Sequence, residues 1–127
     1  MTQHLKNNWR RAVHQQLFDL VPCNIAVIDR SYTVVDHNDN FAEVFGEGKG
    51  RPCYEVYKRR SNPCEHCMAQ KSFSDGQVHV NDEVGVDKNG RTAYYVVHMA
   101  PVITPDGDIP YIIEMSTDVT ETRRLQR

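Results

Sequence analysis

The last third of the chain constrains the fold most, because runs of β-branched and aromatic residues there are separated by turn sequences. Two such runs span residues 77–87 and 91–103. Asn89-Gly90 lies between them, and glycine supplies the positive φ that a tight hairpin turn requires. A second turn precedes a third run at 111–117. Consecutive hairpins of this kind predict an antiparallel sheet.

Alternation along these runs predicts which residues share a face but not which face is buried. Tyr111, Ile113 and Met115 lie on one face of the third run, because side chains alternate along a strand. The run 94–97, with Met99, is typical of the core of a sheet. The pattern leaves open which set of side chains faces inward.

The first half of the chain predicts another hairpin, followed by a short helix. Two β-branched runs, 24–29 and 33–37, flank a turn at 30–32. Asp39-Asn40 then offers an N-cap ahead of an apolar group at helical spacing, and Gly46 ends that helix.

Two further helices are predicted at 52–59 and 63–74, because each begins with a proline, which is well tolerated at the first helical position. Asn62 and Glu65 form a possible capping box for the second helix, and Gly76 ends it. The order of helices and strands predicts an α+β fold in which helices cross one face of an antiparallel sheet.

An amphipathic helix is predicted at the N-terminus, because Leu5, Trp9, Val13 and Leu17 recur every four residues. We expect it to pack on the domain or on a second copy of the chain. The predicted organisation is an N-terminal helix at 1–16, a globular domain at 17–121 and the start of an outgoing helix at 122–127.

Composition restricts the classes of function. A chain of 127 residues with 39% hydrophobic and 25% charged residues is typical of one globular domain. Its 15 basic and 17 acidic residues leave no basic excess, so we expect no nucleic-acid binding. No run is long enough for a bilayer span and no secretory signal is present, so we expect a cytoplasmic location without membrane insertion.

The segment from residue 29 to residue 46 resembles the opening of a PAS domain. The family pattern has Asp, Gly, an aliphatic residue, Asn, Ala and a closing Leu/Phe-Gly. The positions that match are Asp29, Val34, Asn38, Phe45 and Gly46. Tyr32 stands where the family usually has glycine, and Asn40 stands where it usually has alanine.

A second likeness is Asp118-Val119-Thr120-Glu121, which resembles the Asp-Ile/Val-Thr-Glu segment that follows the last strand of a PAS domain. The resemblance covers roughly residues 17–121. It implies a five-stranded antiparallel sheet with helices over one face, and a cavity between them. Asp118 can also cap a helix whose third position is Glu121, and it could be no more than such a cap. The resemblance implies in addition that Asp118, Thr120 and Glu121 relay a signal.

Three cysteines suggest chemistry of their own. Cys53 and Cys64 each follow a proline, in the first turn of a predicted helix, where free amides favour a thiolate. Cys67 would lie on nearly the same helical face as Cys64. These three thiols, with a fourth ligand from His66, His79, His98 or Cys23, would suit zinc or an iron–sulfur cluster. A reversible thiol switch, or reduced cysteines without a redox function, are the alternatives.

Haem is a weaker cofactor candidate. His66 is the helical histidine that could bind b-type haem. A c-type haem attachment is excluded, because Met68 rather than histidine follows Cys67. The cysteine motif of flavin-binding photoreceptors in the family is also missing.

These patterns predict the non-catalytic sensory domain of a bacterial signalling protein. The first candidate for the parent is a two-component sensor histidine kinase, and a diguanylate cyclase or a transcriptional regulator is also possible. We expect a homodimer that senses a small ligand or redox state and acts on a C-terminal output domain in a longer protein. The alternatives are a thiol-disulfide or metal-dependent enzyme using Cys64 and Cys67, and a domain that only dimerises.

Overall fold

The computed structural model describes residues 3–64 and 67–125 of the chain. Within them it contains five helices and five strands, in the following order. The elements are α1 (Gln3–Leu20), β1 (Asn24–Asp29), β2 (Val34–His37), α2 (Asp39–Phe45), α3 (Cys53–Lys58), α4 (Met68–Asp75), β3 (His79–Val86), β4 (Thr92–Val102), β5 (Tyr111–Asp118) and α5 (Thr120–Leu125).

The strands form one antiparallel sheet in the order β2-β1-β5-β4-β3, which confirms the predicted five-stranded sheet. The last strand lies at the centre, between β1 from the first hairpin and β4 from the second. Its register places Glu114 opposite Ala26 on one side and Met99 on the other. The central position of β5 therefore joins the two halves of the chain.

The turn between β3 and β4 forms as its sequence predicts. Gly90 has a φ of 81°, and its amide donates to the carbonyl of Asp87 at 3.0 Å. The Asp87 side chain accepts from the amides of Asn89 and Arg91 at 2.9 and 2.8 Å. Local hydrogen bonds therefore fix this hairpin.

The buried face of the sheet lies under the helices. On β4 it carries Ala93, Tyr95, Val97 and Met99. On β5 it carries Ile112, Glu114 and Ser116. The face of Tyr111, Ile113 and Met115 is therefore the outer one, so the inner face of the central strand is partly polar.

The sequence pattern predicted Asp39 or Asn40 as the N-cap of helix α2. The N-cap in the structure is Asn38. Asn38 is completely buried. Its Oδ1 accepts from the amides of Phe41 at 3.0 Å and Ile25 at 3.1 Å, and its Nδ2 donates to the Cys23 carbonyl at 2.9 Å. One side chain thus holds α2 against β1.

The helix predicted at 63–74 begins later than expected, at Met68, with Cys67 as its N-cap. The prediction that Cys64 and Cys67 share one helical face is therefore wrong. Short helices are stabilised mainly by packing of an apolar face, and in α4 that face is Ala69, Ser72 and Phe73. The proposed capping box does not start this helix, and Glu65 lies outside the described residues.

Helix α1 continues beyond residue 16 to Leu20, and its apolar stripe faces solvent. Trp9 is 57% exposed, Leu17 60% and Leu20 79%. Leu5 is among the residues whose side chains are not described. In this single chain the exposed stripe therefore does not pack on the sheet.

Replacing Asn38 by alanine tests the role of this cap. We expect Asn38→Ala to lower the free energy of unfolding by about 2–3 kcal/mol, because it removes a cap and leaves buried backbone groups unpaired. Urea denaturation measures the change. Asn38→Asp keeps the acceptor oxygen and loses only the donor to the Cys23 carbonyl, so it should lower the free energy of unfolding less than Asn38→Ala does. An equal decrease in the two variants would contradict this role of Asn38.

Candidate functional site

A cavity of about 200 Å³ lies between the inner face of the sheet and helices α3 and α4. Its apolar wall comes from both layers, with Met68 and Ala69 on α4, Val97 and Met99 on β4 and Val84 on β3. The cavity is therefore a candidate binding site inside this domain.

Cys53, Cys64 and Cys67 all line this cavity. His98 and Cys23 are not among its lining residues, and His79 is hydrogen-bonded to Asp75 at 2.7 Å. No three His, Cys, Asp or Glu side chains in the described ranges are grouped to hold a metal ion. His66 lies outside those ranges, so zinc, an iron–sulfur cluster or haem at these residues stays a prediction.

The expected thiolate at Cys53 is wrong. Burial raises the pKa of the Cys53 thiol, and the negative charge of Glu114 raises it further. The backbone amide of Cys53 donates to the Tyr32 carbonyl at 2.7 Å and is not free to stabilise a negative sulfur. Cys53 is therefore a neutral thiol in the wall of the cavity.

Glu114 is the acidic group at the base of the cavity, and the sequence analysis missed it. It is 4% exposed, on the inner face of β5. Burial raises the pKa of Glu114 to about 7. An interaction with Tyr57 lowers this pKa in part, the negative charge of Glu83 raises it, and the positive charge of Lys58 lowers it. An acidic residue at a buried position of a strand would have indicated this site. The sequence alone did not show which face of β5 is buried, so Glu114 could not be recognised.

Tyr57 contributes a second buried polar group beside Glu114. Its side chain belongs to α3 and is 7% exposed, and its hydroxyl oxygen has no well-formed hydrogen bond. Burial, and then the charge of Glu114, raise the pKa of Tyr57 well above its ordinary value. The phenol is therefore neutral and available to donate or accept.

Tyr95 also lines the cavity with its ring. Its hydroxyl is buried without a hydrogen-bond partner. Burial raises the pKa of Tyr95 to about 12, with smaller contributions from Asp118 and Asp87. The phenol of Tyr95 is therefore neutral, like that of Tyr57.

An ion pair stands at the rim of the cavity. Lys58 Nζ lies 2.7 Å from Glu83 Oε2, and both side chains are about one quarter exposed. Asn81 Nδ2 donates to the other carboxylate oxygen of Glu83 at 3.0 Å. Lys58 and Glu83 therefore compensate each other, which leaves Glu114 without a dedicated cation.

The predicted relay residues lie where β5 passes into α5. Asp118 Oδ1 accepts from the Thr120 amide at 2.8 Å, so it bonds the first residue of α5. The Tyr94 amide donates to Thr120 Oγ1 at 2.9 Å, and the Val119 amide donates to the Tyr94 carbonyl at 2.8 Å. The start of α5 is therefore hydrogen-bonded to the beginning of β4. Glu121 is exposed, in the first turn of α5.

Comparison with known proteins agrees with this architecture. The sequence profile described as PAS fold matches residues 18–124. The chain therefore belongs to the PAS family. A comparison with curated proteins gave no match.

Solved structures show the same fold. An RNA-binding light-oxygen-voltage receptor has a TM-score of 0.76 and 18% identity, over 92% of this chain and 34% of that one. The PAS domain of a protein from Colwellia psychrerythraea has a TM-score of 0.75 and 16% identity, covering 91% and 98%. The PAS domain of an HTR-like protein from Haloarcula marismortui has a TM-score of 0.73 and 20% identity, covering 91% and 97%.

The chain spans about a third of the light-oxygen-voltage receptor and nearly all of the two isolated PAS domains. RNA binding is a property of that receptor, and the expectation that this chain binds no nucleic acid stays a prediction. Among the helices in the described part of the chain, none has the length and apolar character to cross a membrane.

The buried carboxyl of Glu114 predicts a pH-dependent stability. Its pKa is about 7 in the folded protein against 4.5 ordinarily, so between these values the folded state binds more protons than the unfolded state. Stability should therefore fall as pH rises through this window, by up to about 3 kcal/mol from Glu114.

Urea denaturation from about pH 5 to about pH 8 measures this slope. Glu114→Gln should remove it, because glutamine keeps the shape and has no proton to lose. The exposed Glu55, in α3, provides a matched control, and Glu55→Gln should keep the slope. A wild-type slope that survives in Glu114→Gln would show that another group is responsible.

Proposed function

We propose that this chain is the input domain of a signalling protein and that it binds a small molecule in the cavity between the sheet and α3 and α4. The observation that carries the proposal is the buried pair of Glu114 and the unpartnered Tyr57 hydroxyl in the wall of that cavity. The family supports it, because PAS domains are generally sensory modules without catalysis of their own.

A buried carboxyl and a buried hydroxyl without a well-formed hydrogen bond both cost stability, so their presence in the cavity wall favours a role in binding. An unpaired buried hydroxyl costs about 1–3 kcal/mol, and a buried carboxylate more. Ligand sites are typically apolar cavities with a few convergent polar groups, which describes this cavity. Because an apolar cavity of about 150 Å³ admits benzene, a cavity of about 200 Å³ suits a molecule with one ring.

Strand β5 provides a direct route from the cavity to the end of the domain. Glu114 lies in the cavity wall, and Asp118 follows four residues later on the same strand. A ligand that displaces Glu114 would shift the strand end, which Asp118 and Thr120 join to α5. We propose that these residues, with Glu121, pass the change to a C-terminal output domain in the cytoplasm. The first candidate for the parent protein is a sensor histidine kinase, and a diguanylate cyclase or a transcriptional regulator is the alternative.

The cysteines favour a second candidate, a redox or metal-dependent input. Cys53, Cys64 and Cys67 line the same cavity, so an oxidant or metal there would act on the same strand. Iron and zinc analysis of protein purified without oxygen separates the candidates. Stoichiometric metal that is lost in Cys64→Ser would favour the metal-dependent input.

A fragment screen by amide NMR tests the small-molecule proposal. We expect one-ring fragments to shift amides of the cavity wall in the wild type, and to shift amides of α5 as well. Ala69→Phe should abolish both responses, because Ala69 is completely buried and lines the cavity. Ala12→Phe, on the exposed face of α1, is the control and should bind normally.

The same screen tests the relay. Asp118→Ala should bind fragments normally and lose the response in α5, because Asp118 lies at the strand end and its side chain bonds the first amide of the helix. An unchanged α5 response in this variant would remove Asp118 from the relay. Absence of any binding to the folded wild type would contradict the small-molecule input.

We also propose that the domain is a homodimer formed through α1. The stripe of Trp9, Val13 and Leu17 is exposed along this helix, and an exposed stripe at helical spacing is typical of helix pairing between identical chains. A dimer would remove these side chains from water.

Light scattering after gel filtration tests the dimer. The wild type should have twice the mass of the chain, and Trp9→Glu combined with Leu17→Glu should be a monomer with the same circular dichroism. Arg11→Glu changes the charge on the opposite, polar face of α1 and should remain a dimer. A wild type that is monomeric at high concentration would contradict this assembly.

A further inference from the structure

We propose that the molecule bound in the cavity is a one-ring organic cation with N–H donors, of the aryl amidine or arylmethylamine class, paired with the carboxylate of Glu114. This inference rests on the proposed function, and it adds the chemical class of the ligand. It follows from the charges, the hydrogen-bonding groups and the shape of the cavity.

The charge of the cavity wall favours a cation. Among the described lining residues the charged side chains are Lys58, Glu83 and Glu114. Lys58 and Glu83 are joined at 2.7 Å and neutralise each other. When Glu114 is ionised the wall therefore has one uncompensated negative charge, on a side chain that is 4% exposed, where a pairing cation gains more than at the surface.

The same charges disfavour an anion. An anionic ligand would need Lys58 to leave Glu83, and would lie near the buried carboxylate of Glu114. Both steps oppose binding, because they would leave two acidic groups without a cation. A carboxylic acid of the same size is therefore a suitable comparison.

The hydrogen-bonding groups favour a ligand with more than one N–H. The carboxylate of Glu114 only accepts, and the adjacent Tyr57 hydroxyl lacks a partner. Ser116, next along this face of β5, is already held by Asn24, whose Nδ2 lies 3.1 Å from its hydroxyl. An amidinium presents two parallel N–H groups to a carboxylate, which is the strongest geometry for such a pair.

The shape of the cavity favours a single ring. The rings of Tyr54, Tyr57 and Tyr95 and the thioethers of Met68 and Met99 line it. Aromatic faces attract organic cations, and thioethers pack well against rings. These apolar and aromatic side chains, together with the carboxyl of Glu114, match a flat ring with a cationic substituent.

Binding of such a cation should depend on pH in a defined direction. The titratable groups that face Glu114 are Tyr57, Cys53 and Lys58 from α3 and Glu83 from β3. Of these, Tyr57 and Cys53 are held neutral by burial and Lys58 is held charged by Glu83. Glu114 is thus the group in this set that changes charge near neutral pH, and its proton must leave before the cation pairs with it.

Titration calorimetry with benzamidine, benzyl alcohol and benzoate tests the proposal on the full chain. At about pH 8 we expect benzamidine to bind at least about tenfold more tightly than benzyl alcohol, and benzoate to bind worst. At about pH 5.5 benzamidine should bind roughly tenfold to thirtyfold more weakly, because Glu114 is then protonated. Benzyl alcohol should bind alike at both values.

Two variants test whether Glu114 and Tyr57 are responsible for the preference for benzamidine and for its pH dependence. Glu114→Gln should remove the pH dependence of benzamidine binding and its advantage over benzyl alcohol. Tyr57→Phe removes only the hydroxyl, and it should weaken benzamidine binding while keeping the pH dependence. Glu55→Gln, outside the cavity, should behave as the wild type.

The outcomes separate this inference from the proposed function. The cation class is wrong if benzyl alcohol or benzoate binds better than benzamidine, or if other fragments bind and benzamidine does not. In either case the proposal of a small-molecule input stands. If no fragment in the NMR screen binds, both fail. If the advantage of benzamidine persists in Glu114→Gln, the assignment of Glu114 is wrong.

Discussion

The pairing of β1 with β5 is the interaction on which the rest of the structure depends. It runs from Asn24 opposite Ser116 to Asp29 opposite Tyr111, and it joins a strand from the first hairpin to the last strand of the chain. Without it the two halves would each expose a sheet edge. Because β5 is central, every second residue on it is forced under the helices, including Glu114. Opposite Glu114 on β1 stands Ala26, a small residue that leaves space for the carboxyl.

This placement makes the inner face of β5 less stable than an apolar one would be. Ile112 packs in the core, whereas Glu114 and Ser116 are polar positions on the same buried face. Ser116 is held by the Asn24 amide, whereas Glu114 has Tyr57 beside it and no cation of its own. Departures from an apolar core tend to occur where a protein binds something, because the ligand supplies the missing contact. The contrast between Ser116 and Glu114 is therefore consistent with the proposal that the ligand meets the strand at Glu114.

The parts of the structure that depend on local interactions were predictable from the sequence. The Asn89-Gly90 turn, the antiparallel hairpins and the short helix ended by Gly46 follow from hydrogen bonds and backbone preferences within a few residues. The start of α4 was not predictable, because its packing against the sheet, and not Pro63, decides it. Glu114 was missed for the same reason: its role appears only once the inner face of β5 is known. The metal ligands proposed for Cys53, Cys64 and Cys67 remain a prediction.

The two ends of β5 differ in how firmly they are held, and this difference gives the proposed relay a physical basis. Up to Ser116 the strand is bonded on both sides, by β1 and by β4. Beyond it, Thr117 and Asp118 pair only with Val96 and Tyr95 of β4. If a ligand displaces Glu114, as proposed, the displacement would meet least resistance in these last two residues. Those residues lead directly into α5, which is the element that a following domain would contact.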